Sequence, residues 1–217
     1  MTDEQLRERA RSATSLGAAF QNLAIIAQRN AFRSALTELA QARDYFAVGT
    51  QDRRQLQRAL DSYGTENDGR GPRVQVANLR AGGDTSPDGR EVRFTPQSFR
   101  AGMAIGDNYL AQSSRVAFAA AVAHEGTHVY NNTHGMYSPL FQNELTAFKT
   151  GSMVIQARAP GGGAYIMWGP QKRHIYSIFW RHPPEEFDAK RTRAIIEYMR
   201  SEPLYQRLVP REQRRRR

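Results

Sequence analysis

Apolar residues recur at helical spacing through the first part of the chain. They stand three or four residues apart between Asp3 and Phe46, with Arg, Gln and Glu between them, as at Leu16, Phe20 and Leu23. This period predicts one long amphipathic helix or a helical hairpin. The pattern continues from Gln51 to Tyr63, where a glycine follows as a plausible stop. We therefore predict an N-terminal helical region over residues 1–63.

The pattern changes after a turn-rich polar segment, Gly64–Pro72. Apolar and polar residues then alternate around Val74 and Val76, and again around Val92 and Phe94. A period of two is typical of half-buried strands. A β-hairpin or a pair of neighbouring strands is the natural interpretation, with a turn at Asp88-Gly89 between them.

Helical spacing returns after Thr95. We expect a short helix, then a longer alanine-rich one capped by Ser113 or Ser114, and then two more. Their approximate ranges are Pro96–Met103, Ser113–Asn132, Pro139–Ala157 and Glu185–Met199. The predicted fold class is α+β, with a small β-hairpin or sheet packed on the helices. We predict that residues 64–200 form a second domain and that residues 201–217 form a basic, disordered tail.

The chain of 217 residues contains no cysteine. Disulfides, thiolate zinc fingers, iron–sulfur clusters and cysteine nucleophiles are therefore excluded. A chain of this length buries an adequate core without a metal staple. A bound metal would have to use His, Asp or Glu ligands, and would serve chemistry more plausibly than folding.

The formal net charge is +10, and part of the excess lies in the run Arg211–Arg217. Such a tail aids solubility or contacts nucleic acid, an anionic surface or an acidic partner. The charged N-terminus has no apolar h-region, and no apolar run approaches the roughly 18 residues of a membrane span. We expect a soluble chain without a Sec-type signal, cytoplasmic or exported by a non-Sec route.

The segment His124-Glu125-Gly126-Thr127-His128 carries the clearest chemistry. Histidines four residues apart on a helix lie one turn apart on the same face, within reach of one metal ion. Glu125 projects beside them, where it can act as general base while staying outside the ligand set. Because the motif falls inside a helical, alanine-rich stretch, its context agrees with a catalytic zinc site.

A catalytic zinc usually takes a third protein ligand, and two residues are candidates. Glu144 stands sixteen residues after His128 on the next predicted helix, a span that allows a turn and an antiparallel return. His134 stands six residues after His128. We favour Glu144 as the third ligand.

HEGTH followed by a second helix bearing Asn-Glu resembles the gluzincin branch of the zincin metallopeptidases, over roughly Val74–Ala157. The resemblance implies that Zn²⁺ is bound by His124, His128 and Glu144. It also implies that an edge strand before the motif, here Glu91–Thr95, pairs with an extended peptide substrate.

The resemblance further implies a Tyr or His donor for the developing oxyanion from downstream of the motif. The candidates are Tyr137, Tyr165, His174 and Tyr176, of which we favour His174. The segment before it, GGGAYIMWGPQKRH, could return a loop over the cleft.

His134 stands where the metzincin branch has its third histidine. However, the glycine that such motifs carry between the second and third histidines is replaced here by Asn131. Asparagine tolerates the left-handed backbone conformation that glycine adopts, so its presence weakens the metzincin hypothesis but does not exclude it. No methionine is marked by its context as a Met-turn.

The sequence is therefore compatible with two functions. The first is a zinc-dependent endopeptidase acting on a protein or peptide, by analogy a bacterial effector or toxin module or an intracellular regulatory peptidase. The alternative is a zincin-like binding module whose basic surface contacts nucleic acid or an acidic partner. Glu125 favours the enzyme, because a structural zinc site has no use for that carboxylate.

Overall fold

The computed structural model describes residues 1–13, 15–64, 71–80, 82–106, 109–136, 139–158 and 184–209. The described part is mostly helical and includes one small sheet, so the α+β class is confirmed. Its helices are α1 Asp3–Arg11, α2 Leu16–Tyr45, α3 Gln51–Asp61, α4 Pro96–Gly102, α5 Tyr109–Thr133, α6 Leu140–Arg158, α7 Pro184–Ser201 and α8 Pro203–Gln206. Its strands are β1 Arg73–Val76, β2 Gly83–Thr85 and β3 Glu91–Phe94.

The first two helices form a hairpin, as one of the two N-terminal alternatives predicted. The side chain of Ser15 accepts a hydrogen bond from the Ala18 amide and caps α2. Asp3, in the first turn of α1, pairs with Arg29 at 2.9 Å and with Arg33 at 2.7 Å on α2. These two ion pairs hold the short helix against the long one.

The strand order is β1-β3-β2, with β1 parallel and β2 antiparallel to β3. The two predicted strands are neighbours, but the hairpin is formed by β2 and β3, and β2 was not predicted. β3 is the central strand of the sheet. Glu91–Thr95 therefore cannot serve as an edge strand that pairs with a peptide, and that expectation was wrong. In its place, β2 is an edge of the sheet.

Helix α5 runs through the interior. Every residue from Val116 to Ala123 is buried, and α2, α3, α4 and α6 all pack against this helix. A helix that is apolar on all sides is typical of the centre of a core, which explains its alanine content. It begins at Tyr109, so Ser113 and Ser114 lie inside the helix rather than at its cap. The N-terminal helices share one hydrophobic core with α5 and α6.

Part of the predicted basic tail packs on the protein. Residues 201–209 contain the last residue of α7 and all of α8, and Val209 is fully buried. Arg211–Arg217 lies outside the described residues. Among the described helices, none combines the length and the apolar character needed to cross a bilayer.

Gly126 sets how closely α3 approaches α5. A Cβ atom added there would lie 2.6 Å from the carbonyl oxygen of Ala59 and 2.7 Å from the Tyr63 ring. The Tyr63 hydroxyl donates a 2.7 Å hydrogen bond to the carbonyl of Val122 at the same contact. The motif glycine is therefore a packing residue between the two helices.

Replacing Gly126 by alanine is expected to lower the free energy of unfolding by about 1–3 kcal/mol, because the new methyl group overpacks a backbone contact. Gly17→Ala is the matched control. A Cβ at Gly17 meets nothing within 4 Å, so that variant should be neutral or slightly stabilised. Urea denaturation of both variants measures the difference, and equal stability would refute the packing role.

Candidate metal centre

Helices α5 and α6 run antiparallel and approach closely. A Cβ atom added at Gly151 would lie 2.8 Å from the carbonyl oxygen of Ala120, so glycine at this position permits the approach. The approach brings the face of α5 that bears His124 and His128 opposite Glu144 on α6. The antiparallel return expected from the sixteen-residue spacing is therefore present.

Three possible ligand atoms converge between the two helices. The Nε2 atoms of His124 and His128 lie 3.1 Å apart. The two carboxylate oxygens of Glu144 lie 3.5 Å from them, Oε2 from His124 and Oε1 from His128. The three side chains could together hold a metal ion.

The spacing of these atoms fits a tetrahedral ion. Ligand atoms about 2.0–2.2 Å from a tetrahedral metal stand about 3.3–3.6 Å from one another. The 3.1 Å between the histidine nitrogens lies just below that range, and the shortest approach of Glu144 to each nitrogen, 3.5 Å to Oε2 or to Oε1, lies within it. The side chains are only 11–22% exposed, so the cluster is mostly shielded from solvent.

Glu144 is incompletely satisfied by the protein alone. Its Oε2 atom is buried and has no hydrogen-bond partner within the described part of the chain. Burial raises the pKa of Glu144, but the nearby rings of His124 and His128 outweigh this effect and leave that pKa far below its ordinary value. Glu144 is therefore an ionised carboxylate with an oxygen, Oε2, that is available to bind a cation.

Two groups around the cluster position the ligands. The side chain of Asn143 interacts with the His128 ring, and Asn131 donates a 2.7 Å hydrogen bond to the Asn143 side-chain oxygen. The Phe148 ring lies edge-on against His124, with 4.6 Å between ring centroids. Outer contacts of this kind fix the orientation of metal-binding histidines.

Glu125 lies beside the cluster but outside it. Its Oε2 accepts a 2.8 Å hydrogen bond from the Thr85 hydroxyl on β2, and a Cβ added at Gly83 would lie 2.8 Å from its Oε1. Burial raises the pKa of Glu125, while the charges of His124 and His128 and the Thr85 bond partly oppose the shift. A carboxyl whose pKa lies above its ordinary value is better suited to exchanging protons near neutrality.

His134 does not join the cluster. It is exposed at the end of α5, where its Nδ1 lies 2.9 Å from the carbonyl oxygen of Tyr130 and its ring stacks on the Tyr130 ring. The structure thus brings Glu144, and not His134, to the two histidines. His174, the favoured oxyanion donor, lies outside the described residues, as do Tyr137, Tyr165 and Tyr176.

No protein-family model matches the chain, and no curated protein or solved structure is significantly similar to it. The assignment of a function therefore rests on the geometry of the described residues.

Three residues around the cluster escaped prediction from the sequence. Asn143 was visible only as the neighbour of Glu144, and Thr85 belongs to the strand that was not predicted. Tyr205 falls in the segment assigned to the tail. Its ring packs against Phe148, with 5.3 Å between centroids, and so belongs to the shell around His124.

Proposed function

We propose that the protein is a zinc-dependent endopeptidase, in which His124, His128 and Glu144 hold the ion and Glu125 is the general base. The observation that supports this most is the convergence of the His124, His128 and Glu144 side chains with a second carboxyl, that of Glu125, beside them but outside the ligand set. A structural site would not need that carboxyl. When bound, zinc would polarise the scissile carbonyl and lower the pKa of water to about 7.

Glu125 would accept the proton of the attacking water and later deliver it to the leaving amine. Thr85 holds the carboxyl through Oε2. The histidines keep the charged form accessible, although burial favours the neutral one. The same residue can therefore act first as base and then as acid.

A hydroxyl donor is also available among the described residues. The ring of Tyr205 packs on Phe148, which in turn packs on His124. Burial raises the pKa of Tyr205 well above its ordinary value, and the carboxylates of Glu144 and Glu125 add to the shift, so the phenol stays protonated. We propose Tyr205 as a hydrogen-bond donor to the developing oxyanion. His174 stays a prediction for that role.

The substrate we propose is an extended polypeptide. β2 is an edge strand and carries the two residues that contact Glu125, Gly83 and Thr85. Within the described part of the chain no strand pairs with the outer edge of β2, and a peptide added there would lie alongside the base and the metal ligands. This assigns to β2 the role that the sequence resemblance gave to Glu91–Thr95.

The direct test is peptide hydrolysis that depends on the ion. We expect the protein to cleave members of a broad peptide library, to lose that activity on treatment with 1,10-phenanthroline, and to regain it when stoichiometric zinc is added. Cleavage that persists after complete metal removal would refute the proposal.

Replacing Asn143 by alanine is expected to weaken zinc binding about 10–100-fold, because the His128 ring loses a partner that orients it. Asn22→Ala is the control. It removes an asparagine whose side chain donates a hydrogen bond to the carbonyl of Ala18 on the same helix, α2. Competition titration with a chromophoric chelator gives both affinities. Equal affinities in the two variants would remove Asn143 from the outer shell.

A further inference from the structure

A cleft of about 690 Å³ opens between α3, α5 and α6, beside the candidate metal centre. Its volume falls within the range of small-molecule sites, roughly 300–1,000 Å³. None of the proposed metal ligands lines it. Asn131 lines it, however, and the chain of contacts from Asn131 through Asn143 to His128 connects its wall to the metal centre.

The described residues that line this cleft give it a positive charge. Arg54 and Arg58 line it, and no acidic residue is found among the described residues of its walls. Neither arginine forms an ion pair with any residue in the ranges that the structure describes. By contrast, Arg43 and Arg53 nearby both pair with Asp44, at 2.9 Å in each case.

Both arginines are exposed, and each makes one contact in the described part of the chain that leaves donors available. The guanidinium of Arg58 lies over the Tyr130 ring, with its carbon 5.5 Å from the ring centroid. Arg54 donates one hydrogen bond to the carbonyl of Gly49. Because an arginine carries five N–H donors, each retains several that suit a carboxylate or phosphate.

The rest of the lining also favours an anion. Gln51 is the first residue of α3, and Gln142 lies in the first turn of the 19-residue α6. Both helix N-termini therefore add positive partial charge near the cleft. Ala59, Tyr130 and Met136 supply an apolar surface beside these polar groups.

We propose that this arginine cleft, defined by Arg54, Arg58 and the residues around them, binds an organic oxyanion: a carboxylate or phosphate attached to an apolar group. The cleft is a site separate from the peptidase centre. The inference does not depend on a bound metal, because each of its contacts is made by the protein itself.

Isothermal titration of the full chain at low salt tests the inference, with inorganic phosphate, citrate and phenyl phosphate as probes. We expect binding at one site, tightest for phenyl phosphate if phosphate is the preferred group and tightest for citrate if carboxylate is. In the R54Q/R58Q variant the affinity should fall at least tenfold.

The R80Q/R100Q variant is the matched control. It removes the same charge from two exposed arginines outside the cleft. Retained affinity in this variant, with loss in R54Q/R58Q, supports the inference. Equal weakening in both pairs would show a general effect of net charge and overturn it, as would absence of binding to the wild-type protein.

A measurement on the wild-type protein avoids any effect of substitution on folding. Phenyl phosphate should shift the side-chain amide resonances of Gln51, Asn131 and Gln142 in a ¹⁵N spectrum. Shifts confined to amides outside the cleft, or no shifts, would overturn the inference.

Discussion

Glu125→Gln is expected to lower the rate of peptide hydrolysis about 10²–10⁴-fold while leaving the zinc content unchanged. Glutamine has the same shape but cannot accept the proton. It keeps an oxygen for the Thr85 hydroxyl, whose hydrogen bond to Glu125 measures 2.8 Å. Since Glu125 is not one of the three converging ligands, the ion should stay in place. Initial rates on a cleaved peptide and metal analysis of the same sample measure both quantities.

Glu8→Gln is the control for this substitution, because Glu8 is an exposed residue of α1. Its activity should equal that of the wild-type protein. Full activity in Glu125→Gln would exclude that residue as the base. If the wild-type protein cleaves no peptide and instead binds nucleic acid in a steeply salt-dependent manner, the binding-module hypothesis would gain support.

Glu144→Ala is expected to lower zinc affinity by more than the roughly 100-fold seen for outer contacts, because it removes a ligand itself. The substitution deletes both oxygens that lie 3.5 Å from the histidine nitrogens. The two histidines alone would then hold the ion, and dialysis should strip it from the protein. Hydrolysis should fall in parallel with metal content.

His134→Ala is the matched comparison, since His134 is the rival third ligand. Its ring is exposed and stacked on Tyr130, so the substitution should leave zinc affinity within about twofold of wild type. The opposite pattern, with zinc lost in His134→Ala and kept in Glu144→Ala, would indicate a metzincin-type ligand set.

The helices of the site were predictable because local sequence determines them. Histidines four residues apart on a helix lie on the same face, and the sixteen-residue spacing from His128 to Glu144 allows an antiparallel return that places Glu144 opposite them. Apolar periodicity likewise predicted α6, but it left open whether the N-terminal helices form one long helix or the hairpin of α1 and α2. These elements need no knowledge of distant parts of the chain.

The sheet was less predictable because its order depends on distant pairing. β2 has three residues, Gly83–Thr85, too few for a period of two to be seen. β1 and β3 pair in parallel although β2 lies between them in the sequence, so no single turn determines their pairing. The wrong expectation that β3 is an edge strand matters for function, since β2 contacts Glu125 and is an edge of the sheet that the structure describes.

Tyr205 illustrates a different limit. The basic run that follows it indicated a solvated tail, whereas its aromatic ring packs on Phe148 and Tyr198 near the metal centre. Composition reports the average character of a segment. It does not show which single side chain anchors that segment to the core.

The most direct measurement is the zinc content of the purified full-length chain after incubation with stoichiometric zinc and gel filtration, determined by inductively coupled plasma mass spectrometry. We predict about one zinc per chain in the wild-type protein and none in the His124→Ala/His128→Ala variant. Wild-type protein without zinc, or a double variant that retains it, would contradict the assignment of the metal centre.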